Sequence, residues 1–259
     1  MKTGLYIITH KEIENKFPSD RKIMMVGAVN KKVPDGYFSD YDKNKENISV
    51  KNPNYCELTG FYYFTKHDDS EILGLEHYRR VFIKSRFYLF RYPILKQKDI
   101  EKLMQNYDII VPKIHKYNMP LIKRYGLKGH SSSDLVEIGQ IIDEICPEYK
   151  DAFDTVMNDN KTYFCNMLIG KRDIIVGYAN WLFSVLFELE KRIDISDRTP
   201  YEQRVFGFLS ERLLLVYLTK HSDIKVCEKR IQMVEKSAFK SQIDRVVSKI
   251  KSIFKKKDN

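Results

Sequence analysis

Apolar residues along this chain fall into short continuous runs, alternating with longer stretches in which they recur every three or four positions. The runs at 4–9, 23–29, 71–75, 108–112 and 163–170 predict buried strands. The longer stretches at 54–66, 98–106, 134–158 and 174–189 predict helices. The helix over 54–66 turns Leu58, Phe61, Tyr62 and Phe64 to the core, and that over 134–158 turns Leu135, Ile138, Ile141, Ile142 and Ile145. Another helix starts at Thr199-Pro200-Tyr201-Glu202 and runs to about Leu218. There threonine serves as N-cap, proline fits the first helical position, and glutamate reaches back to the cap. The stretch from Pro34-Asp35-Gly36 to Asn47 is rich in turn formers and reads as a loop. Short apolar strands alternating with helices predict an α/β domain over 1–235, with a mostly parallel central sheet flanked by helices.

The last 24 residues, 236–259, break this pattern. Eight basic residues (Lys236, Lys240, Arg245, Lys249, Lys251, Lys255, Lys256 and Lys257) face one acid, Asp244, up to position 257. Phe239, Ile243, Val246, Val247, Ile250, Ile253 and Phe254 recur between them at helical spacing. Such a basic amphipathic helix suits an anionic membrane surface, with its apolar stripe among acyl chains and its lysines over headgroups. The bland alternative is a surface helix with solvated lysines. The tail carries most of the chain's formal net charge of +10. Its aromatic residues are not interleaved as base-stacking platforms, so nucleic acid is not expected as a partner.

Composition narrows the class further. A chain of 259 residues can bury about 70% of its unfolded surface without disulfides or metals. Its four cysteines, Cys56, Cys146, Cys165 and Cys227, show no C-x-x-C spacing, which suits a reducing cytoplasm. The N-terminus leads straight into a strand pattern, and no run nears the roughly 20 apolar residues of a membrane span. The expectation is a cytoplasmic protein, peripheral at the inner face of the cell membrane.

The densest candidate chemistry lies at Gly74–Phe82, GLEHYRRVF. Glu76, His77, Tyr78, Arg79 and Arg80 follow an apolar strand, where ligands bind in open α/β sheets. Arg79 and Arg80 can clamp phosphate oxygens, while Glu76 and His77 can act as base or hold a metal. The structural alternative is a pair of surface arginines beside a packed tyrosine.

GLEHYRRVF, with Asn47-Ile48-Ser49, the block from Asn54 to Gly60 (NYCELTG), Tyr163–Gly170 (YFCNMLIG) and Arg204–Leu213 (RVFGFLSERL), resembles the bacterial capsular-polysaccharide biosynthesis family long filed as a domain of unknown function. The likeness covers about residues 4–220. It implies a GT-A-like fold and a glycosyltransferase of capsule, exopolysaccharide or O-antigen assembly, several relatives being galactofuranosyltransferases. It further implies a UDP-sugar donor and a lipid-linked or growing glycan acceptor. GT-A enzymes usually hold Mn²⁺ or Mg²⁺ with an Asp-x-Asp after a strand. Here Asp40-Tyr41-Asp42 follows a turn and reads as a solvated loop rather than a metal site. Glu76 and His77 stand where the metal motif would be, and the two arginines can replace the cation.

Other candidates for donor or acceptor contact are more evenly balanced. Thr9 and His10 end the first strand, and Asn54 and Glu57 share a face of the following helix at i and i+3. His130 and Asp134, in GHSSSD, could meet acceptor hydroxyls, or the Ser/Asp cluster could simply cap the next helix. Asn166 interrupts an apolar strand and needs partners. Arg204 and Glu211, seven apart, could reach the site or form a surface ion-pair ladder. His67, His115 and His221 carry no assignment. The competing reading is a non-catalytic membrane-surface assembly protein of the same machinery, which UDP would not stabilise.

Overall fold

In the computed structural model, residues 1–14, 16–85, 88, 91–127 and 131–235 are described. His130 and the basic tail 236–259, with its expected membrane helix, lie outside them. The chain begins with β1 (Thr3–Thr9), β2 (Lys22–Met25), β3 (Phe38–Ser39), α1 (Asn52–Tyr55), α2 (Leu58–His67), β4 (Ile72–His77) and β5 (Arg80–Ile83). It continues through α3 (Gln97–Met104), β6 (Ile109–Pro112), β7 (His115–Lys116), α4 (Leu121–Gly126), α5 (Ser132–Ile145) and α6 (Lys150–Asn158). It ends with β8 (Lys161–Thr162), β9 (Leu168–Lys171), α7 (Arg172–Arg192), α8 (Val205–Lys220) and β10 (Val226–Met233).

The main sheet runs β3-β2-β1-β4-β5-β10-β6-β9, and β9 also pairs with β4. Pairings β4–β9, β9–β6, β6–β10, β10–β5 and β5–β4 therefore close a ring on one side of the sheet. The expectation of a mostly parallel sheet is corrected: β1–β2, β1–β4, β2–β3 and β6–β10 are parallel, but every other pairing in the ring is antiparallel. Of the antiparallel partners, β9 falls within the apolar run at 163–170, whereas β5 is short and β10 is interrupted by charge, so those two lack the run that marks a strand.

Alternation within strands sorts residues between two cores. Tyr6 and Ile8 of β1, Leu73 and Leu75 of β4, and Ile109 and Val111 of β6 face the larger one, with α2, α5, α6, α7 and α8. Leu5, Ile72 and Ile110 face the opposite way, onto Ile100 and Met104 of α3. The arrangement is a mixed α/β domain with helices on both faces of the sheet.

Two expected helices are broken. The one over 54–66 divides at Cys56, whose backbone takes φ 52°, ψ −128°, and the one over 134–158 stops before Pro147, which cannot continue it. The expected capping box forms: Thr199 N–H donates to Glu202 at 2.9 Å and Glu202 N–H to the Thr199 hydroxyl at 3.3 Å. It leads through a short 3₁₀ turn before α8 begins.

Candidate functional site

The C-terminal ends of β1 and β4 open into a cleft of about 600 Å³. Thr9, His10, His77, Tyr78, Arg79 and Arg80 come to it from these strand ends and the β4–β5 turn. Glu57 enters from the start of α2, and Arg204 and Glu211 from the 3₁₀ turn and first half of α8. Positions scattered over 200 residues of sequence thus meet in one place.

The inner wall is built on strained backbone. Cys56 (φ 52°), Cys165 (φ 81°) and Asn166 (φ 43°) are the non-glycine residues with positive φ among the described residues. Cys56 and Cys165 line the cleft and Asn166 stands next to Cys165 behind it, and such costs of about 1–3 kcal/mol per residue are characteristic of binding sites. Asn166 does not line the cleft but fixes it: its amide donates to Glu57 Oε1 at 2.7 Å and to the Gly207 carbonyl at 2.9 Å. The Cys165 N–H donates to Glu211 Oε1 at 3.2 Å. Both carboxylates are thereby held from the same strained turn.

Charge divides within the cleft. Among the described residues, Lys31 donates to the His10 and Val26 carbonyls, at 3.4 and 3.1 Å. Arg204 donates to Cys56 Sγ at 3.2 Å and lies 5.2 Å from the Phe208 ring centroid. The Arg80 guanidinium lines the cleft and makes no hydrogen bond or salt bridge to a described residue. None of the three is neutralised by the carboxylate of a described residue in contact, which is the electrostatic signature of an anion site. Arg79 differs, being half-exposed and paired with Glu235 at 3.0 Å.

The acid–base groups lie deeper. His77 Nε2 is buried without a hydrogen-bond partner and 4.0 Å from Glu57 Oε1. Burial lowers its pKa, which keeps the imidazole neutral. Burial lifts the Glu211 carboxyl to about 7, with Arg212 at 3.1 Å pulling the other way and Glu57 adding to the rise. Partial burial and then the cations Lys31, Lys11, Arg79 and Arg204 lower His10. The Thr9 hydroxyl is spent locally, donating to the Lys11 carbonyl at 2.6 Å.

Several expected site residues are elsewhere. Glu76 neighbours His77 on a strand, so it points to the other face. It is 1% exposed, accepting from Arg21 Nε at 2.6 Å and the Phe82 N–H at 2.7 Å. The structure therefore shows an internal ion pair where a base or metal ligand was expected. Asn54 does not share a face with Glu57, because the turn at Cys56 separates them; its amide donates to the Gln203 carbonyl at 3.0 Å. Asp134, 1% exposed, neither caps α5 nor reaches the cleft, and accepts two bonds from Arg198 at 2.7 and 2.8 Å. Asp40 is no solvated loop residue: fully buried, it accepts from the Gly27 and Ala28 N–H groups and the Ser49 and Thr59 hydroxyls. Asp42 is outside the cleft and caps its own turn through Asn44 N–H at 2.9 Å.

These positions bear on metal binding. No group of three or more His, Cys, Asp or Glu side chains that could hold a metal occurs among the described residues. The carboxylates of Asp40 and Glu76 are fully engaged, so neither fits as a metal ligand. Sequence reasoning missed Lys31, Phe164 and Phe208 as wall residues. Lys31 sits in a polar loop with no pattern around it, and Phe164 was absorbed into an expected strand that begins only at Leu168. A second cavity of about 330 Å³ adjoins the first and shares Phe164, Phe208 and Glu211 with it.

The chain belongs to the family described as "Domain of unknown function (DUF4422)", whose model matches residues 4–222. The apo structure of the bifunctional glycosyltransferase WbbM is similar over 92% of this chain, with 27% sequence identity and a TM-score of 0.82. The similarity covers 46% of WbbM, so the chain spans about half that protein's length. Core-mannan synthase A (CmsA/Ktr4) from Aspergillus fumigatus, in its Mn/GDP form, matches 92% of this chain and 76% of its own at 11% identity. Its TM-score of 0.38 is too low to carry weight. No curated protein matches the sequence.

Proposed function

We propose that the protein is a GT-A-type glycosyltransferase that moves a sugar from a UDP-sugar, galactofuranose by family resemblance, onto a lipid-linked or growing glycan of capsule, exopolysaccharide or O-antigen. The observation carrying this reading is the cleft in which Lys31, Arg80 and Arg204 lack carboxylate partners and face Glu57, His77 and Glu211. The family membership and the likeness to WbbM support it.

The chemistry follows from that division of charge. An acceptor hydroxyl oxygen bonds to the anomeric carbon while the bond from that carbon to the diphosphate oxygen breaks. The electron pair leaves with the diphosphate, whose growing charge the three cations meet with preorganised positive ends. The hydroxyl proton passes to Glu211, whose elevated pKa suits a base working near neutrality. Neutral His77 hydrogen-bonds the transferred sugar through its unpaired Nε2. Among the described residues the acidic side chains do not form a set for a metal, and the three cations take up the leaving group's charge.

The basic tail 236–259 would hold the enzyme reversibly at the inner face of the membrane, beside its acceptor. Among the described residues no helix is long and apolar enough to cross a membrane.

A donor screen of UDP-, dTDP- and GDP-sugars, with and without Mn²⁺, tests the reading. UDP should raise the melting temperature, and Arg80→Ala or Arg204→Ala should weaken UDP about 10- to 100-fold with the fold intact. Arg79→Ala should matter less, because Glu235 already occupies that guanidinium. A wild-type protein indifferent to every nucleotide would return the chain to the assembly-protein reading.

A further inference from the structure

The second cavity has a chemistry unlike the first. Its walls come from Tyr117 beside β7, Phe164 before β9, and Tyr201 and Phe208 at the start of α8. The Tyr201 and Phe208 rings lie 5.0 Å apart, and the His115 and Tyr117 rings 4.5 Å apart across the cavity's lining. Phe164 and Tyr201 are 42% and 52% exposed, a large apolar area left open to water at one place.

Its charged side chains among the described residues are Arg124, Arg212 and Glu211. The Arg124 guanidinium is stacked 5.2 Å from the Tyr117 centroid, and its buried Nε has no partner. Arg212 is committed to the Phe208 carbonyl and to Glu211. Aromatic plates with a scarce, oriented hydrogen-bond donor fit a neutral sugar, whose ring has an apolar C–H face and a polar edge. A diphosphate would instead seek the unpaired cations of the first cleft. The two cavities meet at Glu211, and a hydroxyl bound in one would there face an anomeric carbon bound in the other.

We propose that this second cavity is the acceptor subsite, in which the terminal sugar of the acceptor glycan stacks on Phe164, Tyr201 and Phe208 and presents its hydroxyl to Glu211. The assignment rests on the transferase reading above and goes further by placing the acceptor. It divides the molecule into a cationic donor half and an aromatic acceptor half with one carboxylate between them.

The test uses the full chain saturated with UDP and a panel of methyl hexosides, in pyranose and furanose forms, read by saturation-transfer NMR. At least one hexoside should receive saturation, most strongly on the protons of one ring face. In the variants Tyr117→Ala and Tyr201→Ala, whose rings line only the second cavity, its affinity should fall by about tenfold, while UDP affinity and melting temperature stay near wild type. Binding of no hexoside, or binding that survives both substitutions, overturns the assignment. Loss of UDP binding in these variants also overturns it, by placing the nucleotide base on the aromatic walls. Failure of the wild-type protein to bind UDP would instead sink the transferase reading itself.

Discussion

Glu211 and Glu76 are both carboxylates shielded from solvent within the same fold, and their surroundings give them opposite duties. Glu211 is held by one N–H and one arginine and keeps a pKa of about 7. Glu211→Gln should therefore cut transfer by about 10²-fold or more while leaving UDP affinity unchanged, and the wild-type rate should rise as pH increases through about 7. The same substitution should affect stability in a pH-dependent way. A folded-state pKa above the ordinary 4.5 means stability is fully present below that value and is lost as pH rises through about 7. Glu211→Gln should thus melt level with wild type at pH 4 and above it at pH 8, a comparison that calorimetry makes directly. Glu76 sits in a saturated site with Arg21, which also pairs with Asp20 at 2.6 Å. Glu76→Gln leaves a buried guanidinium short of charge, and urea denaturation should show a loss of about 3 kcal/mol. Any fall in its activity should follow the folded fraction.

Between strands and helices, a constraint that cannot relax lies where β9 meets the residue before β6. A Cβ on Gly170 would lie 2.8 Å from the Asp108 backbone oxygen, which accepts the Lys171 N–H at 2.9 Å. Backbone cannot step aside as a side-chain end can, so Gly170→Ala should destabilise the fold by about 2 kcal/mol and weaken UDP binding through the adjoining Cys165–Asn166 turn. Chemical denaturation and a UDP titration on one sample would test both effects. The long amphipathic helices and the apolar strands β1, β4 and β6 were legible in the sequence because one-sided burial leaves a period. So was the polar crowd after β4, since a packed core has no use for it. Choosing within that crowd was harder: clustering in sequence ignores that a strand sends neighbours to opposite faces, which is why Glu76 drew notice it does not merit. The break at Cys56 was hidden because positive φ in a non-glycine residue is imposed by tertiary contacts and leaves no mark in composition. Strand β10 was hidden because Glu228, Lys229 and Arg230 interrupt its apolar positions.

At the scale of the whole molecule, the proposed function gives two parts separate jobs. The body supplies the cleft, and the tail 236–259 supplies the net positive charge that would bring it to a membrane, at about 1 kcal/mol for each cation near an anionic surface. Deleting 236–259 should leave turnover on a soluble acceptor within about twofold and abolish co-sedimentation with phosphatidylserine vesicles. Sedimentation unchanged by the deletion would remove the membrane role from the tail. Within the body, the ring of strands imposes an order of assembly. Its closing member, β10, is the last strand of the described chain, yet it pairs along β5, whose first residue is Arg80. Every wall residue of the cleft has already been translated when residues 226–233 are still inside the ribosomal tunnel. Until they emerge, β5 lacks a partner on that edge, and the guanidinium at its head has no fixed aim. A nascent chain therefore has all the cleft's side chains but not its shape until residues 226–233 have joined the sheet.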